Sequence, residues 1–149
     1  MTAIAPGIDN LSLSITEETH IRAPLAPTFA ALLEEMGPSN EGHNGTPMPM
    51  TLEPRPGGRW FRDLGDGNGH LWGHVQAIKR PTLLEITGPL MMSFAVSSNI
   101  QYRLKEVDGG TLITFHHTAL GLIPEGFREG TLQGWTYLHE AVRKRAERT

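Results

Sequence analysis

The sequence predicts an α+β protein in which a curved antiparallel sheet of about six to seven strands wraps around a long C-terminal helix, with one or two short helices after the first strand. Three observations predict it. Between residues 49 and 120, short runs of strand-forming residues are divided by Pro-Gly-Gly, Asp-Gly-Asn-Gly, Arg-Pro, Gly-Pro and Asp-Gly-Gly, the turn chemistry of an antiparallel meander. After Pro124 the apolar period changes from two to helical: Phe127, Thr131, Trp135, Leu138 and Val142 fall on one stripe, with Arg, Glu and Lys on the other side. One strand and one short helix precede the meander.

Residues 1–12 read as a flexible N-terminal arm and 13–149 as one domain, because 149 residues suit one continuous core and are too few for two. A strand follows over 13–21, with Leu11, Leu13 and Ile15 alternating against Ser and Thr, and Pro24 ends it because proline cannot donate to a ladder. Residues 27–36 form a helix with proline in its first turn, Phe29, Leu32 and Leu33 on one face, and Gly37-Pro38 as its stop. The polar segment PSNEGHNGTPM over 38–48 is a loop and a candidate rim for any cavity. Strands are predicted near 49–54, 58–64, 69–79, 82–88, 95–105 and 111–120. The hairpin over 55–75 concentrates ring surface, since it carries Trp60, Phe61, Trp72 and His74. In the last helix, Gly130 and Gly134 each cost roughly 1 kcal/mol of helix propensity relative to Ala. Two explanations stand for them: close packing against a strand, or room for a ligand.

Composition removes several function classes. The formal net charge of -3 supplies no basic field for a nucleic-acid backbone, so no nucleic-acid partner is expected. The chain has no Cys, which excludes disulfides, thiolate catalysis and Cys-ligated zinc. No apolar run approaches a membrane span, and a cytoplasmic protein with no membrane partner is expected. Seven His raise the question of a metal. However, His70 and His74 lie roughly 13 Å apart along a strand, and His116 and His117 point to opposite faces. No compact ligand set is present, and neither a metal nor another cofactor is expected.

The order of motifs resembles the SRPBCC superfamily, also described as START-like or helix-grip proteins, and particularly its polyketide cyclase and AHSA-like branches. The residues that carry the resemblance are Ile21-Arg22-Ala23-Pro24 before a short helix, Arg55-Pro56-Gly57-Gly58-Arg59-Trp60, and Gly73-His74-Val75 leading to Arg80-Pro81-Thr82-Leu83-Leu84. Gly109-Gly110-Thr111-Leu112-Ile113-Thr114-Phe115 and Gly134-Trp135 with Leu138 complete the set. The resemblance spans roughly residues 13–145 and implies a cavity between sheet and C-terminal helix. It is specific to the fold rather than to a function.

Strand alternation proposes what lines that cavity. Ile113, Phe115, His117 and Ala119 share the more apolar face of the last strand, so His117 is expected inward, as is Tyr102 with Ile100 and Leu104. Trp60, Arg62 and Leu64 share the face that the resemblance turns inward, with Arg62 either a cavity cation or a strand-end residue that escapes to water. Trp72 and His74 share the face opposite Gly73 and Val75; the resemblance sends Gly73 and Val75 inward unless a bulge re-aims the strand. An outward patch of Trp72 or Phe61 would mark a homodimer surface.

The expected function is binding of a small, largely apolar molecule between sheet and helix, without demonstrated catalysis. The binding candidates are Trp60, Arg62, Tyr102, Phe115, His117, Gly134, Trp135 and Leu138. The alternative is a polyketide cyclase/dehydratase-like or hydrolase-like enzyme in the same cavity, with His117 as acid or base, Tyr102 as hydrogen-bond donor and Glu53, Arg62 or Asp63 as partners. The resemblance also implies a third reading, an AHSA-like co-chaperone module.

Overall fold

In the computed structural model, residues 11–42 and 44–148 are described. The elements run β1 (Ser12–Ile21), α1 (Leu25–Met36), β2 (Thr51–Leu52), β3 (Arg59–Gly65), β4 (Asn68–Lys79), β5 (Leu83–Gly88), β6 (Val96–Val107), β7 (Gly110–Gly121) and α2 (Phe127–Glu147). The seven strands form one antiparallel sheet in the order β1-β7-β6-β5-β4-β3-β2. The α+β helix-grip arrangement expected from the sequence is therefore present, with α1 as the short helix after the first strand. The expected arm lies outside the described residues as far as residue 10, and Ser12 already pairs with Leu120.

β2 is shorter than the expected strand over 49–54, because Pro49 and Pro54 bracket it and neither can donate to the ladder with β3. The 38–48 segment is more ordered than a plain loop. Met48 N donates to Asn40 O at 2.8 Å and Gly42 N to Thr46 O at 2.8 Å, so it folds back into a small hairpin-like rim.

The register β1-β7-β6 puts Ile15, Ile100, Tyr102, Leu104, Ile113, Phe115, His117 and Ala119 on one buried face, as the alternation predicts. α2 lies across that face, with its ring at Trp135 4.8 Å from Phe115 and its Leu138 and Val142 buried against the same core. α1 packs beside α2, and Leu32 and Met36 are fully buried between helix and sheet. The core thus gathers at the β1-β7-β6 side. The β3-β4 wing continues this core through Trp60, Trp72 and Val75.

That wing carries the main departure from simple alternation. Trp60 pairs with Gly73 but Phe61 pairs with Leu71, so Trp72 is an extra residue bulged out of the ladder. The bulge turns Trp72 inward, where it is 8% exposed and meets Trp60 edge-on at a centroid distance of 4.9 Å and an interplanar angle of 76°. His74 stays exposed. The shared face expected for Trp72 and His74 is therefore split between two sides of the sheet. Gly73 serves a different need: a Cβ there would lie 2.5 Å from Thr87 O, so only glycine lets β4 and β5 approach at the bulge. With Trp72 inside, the outer aromatic surface reduces to half-buried Phe61, whose ring is covered by the Arg59 guanidinium at 4.6 Å.

Candidate functional site

A groove of about 470 Å³ opens where the N-terminal half of α2 stands off the β3-β4 wing. This size suits a small molecule of a few rings. Its floor is Trp60 and Trp72; its α2 side is Phe127, Gly130, Thr131, Gly134, Trp135 and Leu138; and Met48 and Met91 flank it. Asn40, Glu41, Gly42 and Tyr137 make a polar mouth at the 38–48 rim. All three tryptophans of the chain line the one groove.

Local structure explains how each wall is held. Trp60 is fixed by donating its indole N–H to Met36 O at 2.8 Å, which ties β3 to the end of α1. Leu90 is fully buried with φ 60, an unusual backbone state for a branched side chain, and its N–H donates to Trp72 O at 2.7 Å. This anchors the 89–95 connection and sets Met91 at the groove.

Gly130 and Gly134 line the groove, and an added Cβ at either one meets nothing within 4 Å. Close approach to a strand does not account for them; open space does. Gly130→Ala and Gly134→Ala are each expected to stabilise the protein by about 1 kcal/mol, because helix propensity improves without a clash. A thermal melt should read an increase of roughly 2–4 °C for each substitution.

The candidates named from the sequence divide into two groups. Trp60, Gly134, Trp135 and Leu138 line the groove. Tyr102, Phe115 and His117 are fully buried behind Trp135 and do not. Arg62 is half-buried and lies outside the groove, beside the β3-β4 turn. Asp63 Oδ1 accepts from Gly65 N in that turn at 2.9 Å. Glu53 is held to about 2 by its hydrogen bonds from Arg59, away from the groove.

His117 sits between two partners. Trp135 Nε1 donates to its Nδ1 at 3.0 Å, so that nitrogen carries no proton and Nε2–H donates to Ser98 Oγ at 3.0 Å. Burial pushes the ring down to about 4, which keeps it neutral near pH 7. With both nitrogens engaged, its role is to orient Trp135. A second buried network was not foreseen. His139 Nδ1 donates to Glu17 Oε1 at 2.5 Å, and Tyr102 donates its hydroxyl to His139 Nε2 at 2.9 Å. The bond from His139 lowers the Glu17 carboxyl, and burial raises the Tyr102 phenol well above its ordinary range. This relay joins β1, β6 and α2 inside the core. Tyr102→Phe is expected to cost about 1–3 kcal/mol, since it strands a buried imidazole nitrogen. Denaturant titration should show that loss, while affinity for a groove ligand should not move.

Hydrogen-bonding capacity defines the groove's chemistry. The indole N–H groups of Trp60, Trp72 and Trp135 are already donated to Met36 O, His70 Nδ1 and His117 Nδ1. Thr131 Oγ1 donates to Phe127 O at 2.8 Å and Tyr137 to Glu41 Oε1 at 3.1 Å. Asn40 Nδ2 donates to Glu35 O at 3.0 Å; a backbone carbonyl only accepts, so the amide orientation is fixed and Oδ1 is the remaining acceptor. That oxygen is buried and has no partner among the described residues. The indole and hydroxyl donors on the lining are thus engaged, the Asn40 amide keeps a second N–H beyond its bond to Glu35 O, and no cation lines the groove.

Among the described residues, no three His, Cys, Asp or Glu side chains come together as a metal site, and no helix is long and apolar enough to cross a membrane. Sequence reasoning left the face of Trp72 open, because alternation alone does not show whether a bulge re-aims it, and so did not place it among the binding candidates. It missed Met48, Met91, Phe127 and Asn40 because they lie in connections or at a helix end. The methionine-rich runs around them, Pro47-Met48-Pro49-Met50 and Leu90-Met91-Met92, were the available signal.

A curved sheet gripping a C-terminal helix, with an apolar groove between helix and sheet, defines the helix-grip class of SRPBCC proteins. Within that class the chain belongs to the family described as Activator of Hsp90 ATPase homolog 1-like protein, whose model matches residues 28–147. No curated protein matches the sequence significantly. Among solved structures, an uncharacterized protein from Rhizobium leguminosarum is 20% identical with a TM-score of 0.72, over 93% of this chain and 96% of that one. The allergen Ara h 8.0201 is 16% identical with a TM-score of 0.68, covering 93% and 99% of the two chains. The di-domain aromatase/cyclase StfQ of the steffimycin biosynthetic pathway is 10% identical with a TM-score of 0.67. That match covers 95% of this chain but 52% of StfQ. At such identities the likeness establishes the fold alone.

Proposed function

We propose that the protein binds a small, largely apolar molecule in the groove between the N-terminal half of α2 and the Trp60-Trp72 wing, and that this binding, rather than turnover, is its role. The observation that supports the reading most is the pair Gly130 and Gly134. They face open space on a helix they destabilise, opposite two tryptophans. Both glycines are solvent-exposed at the groove, so core packing does not account for them, and an exposed helix position selected for stability alone would carry a better helix former.

The lining argues against a cyclase in this groove. Aldol or dehydration chemistry on a carbonyl chain needs donors or cations aimed at the oxygen where negative charge develops. Here the indole and hydroxyl donors are spent within the protein, and His117 and Tyr102 lie behind Trp135. The family's description concerns a chaperone ATPase activator, and nothing in the groove's geometry bears on that partner. A cysteine-free chain suits the cytoplasm, the compartment we assign to this binding role.

Thermal shift against a panel of two- and three-ring apolar compounds tests the reading. A ligand at one hundred times its Kd adds about 2.7 kcal/mol of stability, a rise of roughly 5–10 °C for a chain of this size. No shift across a broad panel would reject it.

A further inference from the structure

We infer that binding in this groove is controlled by a proton on His70, a positioning residue outside the groove that seats the Trp72 wall only while its imidazole is neutral. This rests on the proposed binding role and adds its regulation. The groove uses one motif twice. Trp135 on α2 donates its indole N–H to His117 Nδ1 at 3.0 Å, and Trp72 on β4 donates to His70 Nδ1 at 3.1 Å. An indole nitrogen only donates, so each histidine holds Nδ1 without a proton. On His70 the ring proton therefore sits on Nε2, which faces Ser93 Oγ at 3.5 Å.

Burial separates the two pairs. His117 is fully buried and its ring is pushed down to about 4, so Trp135 keeps its acceptor well into acid. His70 is half-buried and lines a hollow at the β3-β4 turn rather than the groove. An imidazole that solvent reaches changes charge between about pH 5 and about pH 8. Arg59 and Arg62 share that hollow with Asp63 and Asp66, and Arg62 is the cross-strand partner of His70. Charges of both signs therefore surround the ring on the hairpin side, while from the 89–95 connection it meets uncharged Ser93.

Protonation leaves Trp72 without its acceptor. The imidazolium carries a proton on each nitrogen, so two N–H groups would point at one another across the same gap. The Trp72 backbone cannot follow, because Leu90 N–H holds its carbonyl and the bulge fixes the strand. The ring is freer: it meets Trp60 edge-on at 4.9 Å and has the open groove beside it. An indole that turns into the groove takes volume from the ligand. A ligand that needs the seated ring then binds in proportion to the fraction of molecules in which it is seated. Binding is complete above the titration of His70 and falls as pH falls through it, while the Trp135 wall stays as it is.

The intact protein is titrated with 2-naphthol, uncharged throughout this interval, at about pH 8 and about pH 5, with binding measured by equilibrium dialysis. Affinity is expected to fall roughly threefold to tenfold in acid, the effect of one hydrogen bond made only in the neutral state. His70→Asn presents an amide oxygen near the place of Nδ1 at every pH, and its affinity should be the same at both. His70→Phe offers no acceptor and should bind weakly at both. In the 15N-labelled wild-type protein without ligand, the Trp72 indole N–H resonance should move over the interval while that of Trp135 stays still. An affinity that does not fall with acid, a fall that survives His70→Asn, full affinity in His70→Phe, or a Trp72 resonance that stays still would overturn the inference and leave the binding role standing. Absence of binding at about pH 8 would overturn the binding role itself. Should a variant not fold, the wild-type affinities and resonances decide alone.

Discussion

Gly134→Leu is expected to weaken binding of an apolar ligand roughly tenfold to hundredfold while leaving the protein folded and slightly more stable. The two effects have opposite signs because they arise on different links of the chain from sequence to function. On the helix, leucine is a strong former and glycine a weak one, so α2 gains up to about 1 kcal/mol. Nothing lies within 4 Å of a Cβ at this position, so the first atom of the new side chain enters freely. Its remaining atoms project into the groove opposite Trp60 and Trp72 and take volume that a ligand would occupy. Loss of affinity with a raised Tm separates occlusion from unfolding. Equal loss of both, or affinity that survives the substitution, would place the ligand elsewhere.

Acidification from pH 6.5 to about pH 4 is expected to remove about 3 kcal/mol of stability through His117 alone. Burial depresses this imidazole to about 4 in the folded protein, whereas in the unfolded chain it titrates near 6.5. Above pH 6.5 both states leave it neutral and its contribution is complete. Between the two values the unfolded chain takes up a proton that the folded protein refuses, so stability falls as pH falls. Below about pH 4 both states are protonated and this group adds no further loss. The paired carboxylate of Glu17, itself lowered, begins to lose its contribution only when pH falls below the ordinary carboxylate range. Guanidinium titrations between pH 7 and pH 5 therefore isolate the histidine. His117→Gln can still accept from Trp135 and donate to Ser98, and it should flatten the slope in that interval. A slope unchanged by the substitution would assign the proton to another histidine.

Much of this architecture was legible in the residues, and the parts that were not share a cause. Alternation along β6 and β7 put Tyr102, Phe115 and His117 on the inner face, where they are. It could not say that Trp135 would lie between them and the groove, because the seating of a helix on a sheet depends on side chains from several strands at once. The partners that neutralise the chemistry of His117 and Tyr102, namely Ser98, His139 and Glu17, come from three different elements. The face of Trp72 stayed undecided for a local reason. One extra residue opposite Trp60 changes which side of the sheet every later side chain faces, and no period-two pattern carries that information. The glycines of α2 were visible as a cost in helix propensity. Only the structure distinguishes the open space beside them from a close packing contact.

The central claim is that the space between α2 and the β3-β4 wing is a binding site. Its most direct test is a titration of the 15N-labelled protein with 2-naphthol, following the indole N–H resonances of Trp60, Trp72 and Trp135. All three rings line the groove and no other tryptophan exists in the chain. All three resonances should move saturably with one common Kd, and should stay still in Gly134→Leu at the same concentrations. Saturable binding that leaves the indole resonances unmoved, or no binding by the wild-type protein, would contradict it.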